Sequence, residues 1–109
     1  MVMNPETIEK LIENGRDGYE ARLAAGQARR AAGDLERAAA HFRAATDHAP
    51  SRTVAWQELG RCLHELGDPD GARDAWERGR STARANGDKQ AEKVIGVWLK
   101  RLDRDANRD

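Results

Sequence analysis

The chain has one cysteine, three prolines, three tryptophans, one tyrosine and one phenylalanine in 109 residues. A single thiol, Cys62, cannot form an internal disulfide, so no disulfide scaffold is built. Its place among helix-forming residues reads as a structural, partly buried thiol. Aromatics at 5% beside abundant alanine suit closely packed helices and not a sheet. Charge of one sign is also missing: 19 basic groups face 19 acidic ones, for a net charge of zero. Nothing here builds the basic field that nucleic acid requires. No run of about 18 apolar residues exists, so no membrane span is expected. The opening Met-Val-Met-Asn-Pro-Glu lacks a basic stretch followed by an apolar one, so no secretory leader is expected either. The expectation is a single soluble, cytoplasmic domain, and the preference for arginine over lysine suggests a bacterial source with a GC-rich genome.

Catalytic patterns are missing too. No Ser-His-Asp order, glycine-rich phosphate loop or HExxH is present. Cys62 and His64 stand two apart on a helix, so they point in different directions and make no nucleophile–base pair. His41 and His48 share a face, but no third ligand has a recognised spacing, and solvated surface histidines are expected. No enzyme activity, no metal and no cofactor are expected.

What is there is organised around Trp56 to Gly79. Trp56, Leu59, Leu63 and Leu66 recur at steps of three and four, a helix face. Gly60 interrupts that face, and a glycine inside a helix costs about 1 kcal/mol against alanine. Close approach of a second helix is the simplest reason. Ala72, Ala75, Trp76 and Gly79 supply the matching face, with Gly67-Asp68-Pro69 as the turn between.

The pattern occurs twice, with copies 34 residues apart. Ala55 falls on Ala21, Gly60 on Gly26, Gly67 on Gly33, Asp68 on Asp34, Ala72 on Ala38 and Trp76 on Phe42. A 34-residue period with Trp-x2-Leu-Gly, then Ala-x3-aromatic, then proline resembles the tetratricopeptide repeat, over residues 19–86. The second copy departs at Arg84, where proline is expected. The first departs at Arg22, Ala25 and Arg29, where larger apolar groups are usual. The whole chain is similar to small stand-alone bacterial proteins with two such repeats and a terminal helix.

The spacing predicts six helices in one domain spanning 1–109, all-α, as antiparallel pairs. The resemblance implies a short right-handed superhelix. A first helix over 5–14, with Asn4 as cap and Pro5 at its first position, should bury Ile8, Leu11 and Ile12 against the first repeat. Repeat one covers 19–52 and repeat two 53–86. Asp34 and Asp68 should cap the second helix of each repeat, and Ser51 the first helix of repeat two. A capping helix within 87–104 should bury a stripe of Ala91, Val94, Ile95, Trp98 and Leu102. Residues 105–109 are a charged tail, with fraying expected from Arg104. Two repeats cannot cover both their open faces, so the terminal helices must do it.

In the family this chain resembles, the first helix of each repeat lines a concave wall. Carried over, the wall is Glu20, Leu23, Gln27 and Arg30 in the first repeat and Val54, Gln57, Arg61 and His64 in the second. Ala91, Ile95 and Trp98 extend it if the last helix continues the stack. The Lys and Asn set with which some members grip a terminal carboxylate is not reproduced, since Leu23, Gln27 and Glu58 stand at those places. The resemblance implies a protein-interaction module for a peptide segment, and Arg30 and Arg61 suit acidic side chains on it. The alternative is a structural role through self-association, as a monomer or weak homo-oligomer with no groove ligand. Glu58, Arg61 and Glu65, at steps of three and four, can also serve simply as a solvated, ion-paired face.

Overall fold

A computed structural model describes residues 4–108. Met1 to Met3, within the stretch read above for a leader, and Asp109 of the charged tail lie outside the described residues. Six helices follow one another: α1 (Pro5–Glu13), α2 (Tyr19–Ala31), α3 (Leu35–His48), α4 (Thr53–Glu65), α5 (Pro69–Ala85) and α6 (Lys89–Ala106). Each packs on its neighbours in sequence, so the chain forms a stack 45 × 33 × 23 Å in extent.

Local chemistry sets the helix ends. Asn4 Oδ1 accepts from the Glu6 amide at 2.8 Å, and Pro5 opens α1. Asp34 Oδ1 accepts from the Arg37 amide at 3.2 Å, and Asp68 Oδ1 from the Gly71 amide at 2.9 Å. These are two of the amides that a helix start leaves without partners. The turns before them match as well: Gly33 and Gly67 have φ of 83° and 81°, a left-handed conformation that glycine adopts without strain.

The start of α4 differs from expectation. Arg52, not Ser51, is the cap residue, and no side chain bonds to the helix there. The turn is fastened instead by side chains farther along the chain, Trp56 within α4 and Asn86 just after α5. The Trp56 indole N–H donates to the Pro50 carbonyl at 2.9 Å, and Asn86 Nδ2 donates to the Ser51 carbonyl at 2.8 Å.

Rings set into glycine notches hold each pair together. A Cβ at Gly26 would lie 2.6 Å from the Phe42 ring, and one at Gly60 would overlap the Trp76 indole. The largest fully buried side chains are Phe42, Leu59, Ile95 and Cys62, from α3, α4 and α6.

The terminal helices cover the stack with narrower seams than expected. On α1, Ile8 and Ile12 are buried against Ala25 and Ala28, while Leu11 is exposed. On α6 the buried seam is Ile95, Leu99 and Leu102, with Trp98 half-buried and Val94 37% exposed. Leu99 replaces Val94 because α6 packs mainly on one helix, α5. A single helix contact selects positions four and three apart, and Leu99 stands between Ile95 and Leu102 at that spacing. The helix continues to Ala106, past the expected fraying point at Arg104.

Candidate functional site

Helices α2, α4 and α6 present one continuous surface. Arg30 on α2 reaches across to α4, 3.4 Å from Glu58, and also pairs with Glu65. Arg61 on α4 lies 3.2 Å from the same Glu58 and holds its guanidinium carbon 6.0 Å from the Trp98 ring centre on α6. The arginines expected on the wall are therefore brought together, but neither is a free cation. Two arginines and two glutamates balance here.

The other expected wall residues are placed unevenly. Gln27, Val54 and His64 are exposed, Val54 at 45%. Gln57 is half-buried, and its backbone carbonyl accepts from the Trp76 indole N–H at 3.3 Å. Leu23 is half-buried and packs against the main core, so it belongs more to the fold than to a free surface. Ile95 is fully buried and is not on the wall, whereas Trp98 is half-buried. Ala91 is half-buried, and Glu20 is exposed and pairs with Arg52 at 2.6 Å.

Beside Arg61 the surface sinks into a pocket of about 430 Å³. Its floor is indole and leucine: Trp76, Trp98 and Leu102, with the two indoles 5.4 Å apart and tilted by 45°. His64 stands 5.8 Å from the Trp76 ring. Arg61, Glu65, Arg101 and Asp105 make the rim. Among the described residues, Arg101 and Asp105 have no ion-pair partner. The sequence pattern places Trp76 in the core, and it is both core and floor. Arg101 and Asp105 went unread, although they follow Trp98 at steps of three and four and so share its face.

A second polar cluster holds α1 in place. Arg29 Nε and Nη2 donate to Glu9 at 2.9 and 2.5 Å. His41 Nε2 lies 2.6 Å from Glu9, and His41 Nδ1 lies 3.2 Å from Arg22. Arg22 and His48 both reach Asp17, at 2.8 and 3.1 Å. Hydrogen bonding from Arg29 lowers the Glu9 carboxyl to about 2. Hydrogen bonding from Arg22 likewise holds Asp17 well below the usual carboxylate range. His41 is thus no solvated histidine: it is half-buried between three helices. Arg22 and Arg29, out of place as repeat residues, are in place as the anchor of α1.

Cys62 is fully buried, and burial pushes its thiol up to about 11. Its neighbour His64 faces outward on the pocket side. Among the described residues no three His, Cys, Asp or Glu side chains gather to hold a metal ion. No helix of the described residues is long and apolar enough to cross a membrane.

Known proteins share both the sequence and the shape. The family model of the tetratricopeptide repeat matches residues 29–90. The TPR repeat-containing protein PA0015 of Pseudomonas aeruginosa is 42% identical over 99 residues, which is 91% of this chain and 94% of that one. The solution structure of protein BPP2914 from Bordetella parapertussis superposes with a TM-score of 0.78 at 37% identity, covering 96% of this chain and 91% of its own.

Proposed function

Because the chain belongs to the tetratricopeptide repeat family, whose domains generally mediate protein–protein interaction, we propose that it binds a peptide segment along α2, α4 and α6, with one large apolar side chain seated in the Trp76–Trp98 pocket. The pocket carries this reading. Its floor is aromatic, and burying a large side chain there gains about 25 cal/mol for each Å² of apolar surface removed from water. Gln27 and Gln57 can pair with an extended backbone, and Val54 gives apolar contact beside them. An acidic side chain next to the anchor would meet Arg101 at the rim, and Arg61 and Arg30 by exchange with Glu58 and Glu65. His64 closes the pocket edge and Leu23 supports the α2 side. Such a module needs no catalytic group.

The experiment is a titration of labelled peptides carrying a tryptophan or leucine beside an acidic residue, read by fluorescence anisotropy, against wild type, Trp98→Ala and Arg61→Glu. Both variants should weaken binding. Equal affinity for all three proteins would rule out this surface.

The second reading, self-association, draws on Val94 and Val97, exposed at 37% and 43% on α6. Molecular mass by light scattering separates the two: Val97→Glu would lower the mass of a self-associating protein and leave a monomer unchanged.

A further inference from the structure

The flank of α6 away from the pocket holds a second cleft, about 450 Å³, between α5 and α6. Arg80 and Arg84 on α5 face Lys89, Lys93 and Lys100 on α6 across it, with Glu92 as its one carboxylate. Arg84 and Glu92 pair at 2.8 Å. Arg80, Lys89, Lys93 and Lys100 have no carboxylate partner among the described residues. Elsewhere Arg22, Arg30, Arg52, Arg61, Arg73 and Arg78 are ion-paired, and the other cations unpaired among the described residues, such as Lys10, Arg16, Arg43 and Arg101, stand on different elements and do not gather in one cleft. The chain is neutral overall, yet its charge is divided. Residues 80–109 hold 8 of the 19 basic groups and 5 of the 19 acidic ones, and residues 1–79 hold the other 11 and 14.

Gly96 is an independent sign. Of the glycines inside helices, Gly26 and Gly60 make room for rings, a Cβ at Gly79 would press on Trp56 Cβ and Ile95, and one at Gly71 would collide with the Asp68 cap. A Cβ at Gly96 would meet nothing within 4 Å. It lines the cleft beside Val97. A helix-interior glycine costs about 1 kcal/mol against alanine, and nothing inside this molecule uses the space it leaves.

We propose that this cleft is a docking surface for an acidic segment of a partner protein, whose backbone approaches α6 over Gly96 while its carboxylates meet Arg80, Lys89, Lys93 and Lys100. Three features favour a protein segment. The cleft has no aromatic side chain on which bases could stack. The neutral chain lacks the broad field that a nucleic acid requires. Val97 is the cleft's one exposed apolar side chain, too little to enter a bilayer. The proposal is independent of the Trp76–Trp98 pocket, because the two lie on opposite flanks of α6.

The test is anisotropy with three labelled probes: a peptide rich in Glu and Asp with interspersed serines and no large apolar residue to enter the Trp76–Trp98 pocket, its copy with Gln and Asn at every acidic position, and a single-stranded DNA oligonucleotide. The proteins are wild type, Gly96→Leu, Lys89→Glu/Lys93→Glu and Arg61→Glu, each checked by circular dichroism. Gly96→Leu fills the cleft without changing charge, and the open space around it leaves the fold intact. Wild type should bind the acidic peptide about ten-fold more tightly than its amide copy. Gly96→Leu and the double lysine variant should lose that preference, and Arg61→Glu should keep it. The proposal is overturned if wild type binds neither peptide or both alike, if Gly96→Leu binds as wild type does, or if Arg61→Glu alone loses binding. Tighter binding of the oligonucleotide, lost in the lysine variant, would assign the cleft to nucleic acid and overturn it as well.

Discussion

The Trp76 indole occupies the space that a side chain at Gly60 would fill, and its N–H donates to the Gln57 carbonyl one turn earlier on α4. The missing Cβ and the ring are one feature. Gly60→Leu should force the ring aside and destabilise the fold by about 1–3 kcal/mol, or more if α4 and α5 separate. Gly96→Ala should do the reverse and stabilise it by up to about 1 kcal/mol. Chemical denaturation of both variants checks the pair of signs, and a neutral Gly60→Leu would contradict the notch.

Glu9 sits under Arg29 and beside His41, so α1 is held by charge as well as by Ile8 and Ile12. The folded-state value of Glu9, about 2, lies below that of an unfolded glutamate. The stabilisation from Glu9 is therefore present above the unfolded value, near 4.3, and is lost as pH falls toward about 2. Glu9→Gln should flatten the stability profile over that acid range and lower the melting temperature near neutral pH. Asp74→Asn, which removes an exposed pair with Arg78, should change little. Melting curves from pH 2 to 7 test this, and parallel profiles for wild type and Glu9→Gln would refute it.

The seam of α6 separates what periodicity can and cannot give. Leu99 is 5% exposed and Val94 is 37% exposed, although the stripe read from sequence included Val94 and omitted Leu99. Leu99→Ala should cost about 2–5 kcal/mol, the usual range for a buried leucine. Val94→Ala should fall within about 0.5 kcal/mol of wild type, as an exposed position does. Urea unfolding at one pH decides it, and equal losses would mean that the seam has been misplaced.

The residues that were legible explain why the others were not. The glycine and aromatic positions repeat with the period, so Gly26–Phe42 and Gly60–Trp76 could be read as one contact made twice. Asp34 and Asp68 cap because a cap is local chemistry within four residues. Ser51 misled because its backbone is tied to Asn86, the residue that caps the end of α5, a contact 35 residues away. Arg29 and His41 misled in the same way: each is satisfied by Glu9 on α1, 20 and 32 residues away, whereas Arg22 pairs with Asp17 only five residues back. Pairing across such distances leaves no periodic trace. At the wall, Arg30 and Arg61 were legible by position, but Glu58 as their shared partner depends on the distance between α2 and α4. The pocket needed α6 set against Trp76, which no repeat register specifies.

Glu58 accepts from both Arg30 and Arg61, and Glu65 takes Arg30 as well. Under the proposed function, an acidic peptide must exchange with these glutamates, so they compete with the ligand for the same donors. Glu58→Gln keeps the volume and removes the charge. It frees Arg61, leaves Arg30 to Glu65 alone, and should tighten binding of an acidic-anchor peptide by about 3- to 10-fold, somewhat less than a full charge-assisted hydrogen bond is worth. Glu65→Gln should have the smaller effect, because it serves Arg30 alone. The gain should shrink as salt rises, since exposed charges are screened within about 8–10 Å at ordinary ionic strength. A peptide whose acid is replaced by its amide should gain nothing from either change. Isothermal titration at two salt concentrations measures all four combinations. Unchanged affinity for the acidic peptide in Glu58→Gln would show that its carboxylate does not reach Arg30 or Arg61, and would leave Arg101 as the cation that receives it.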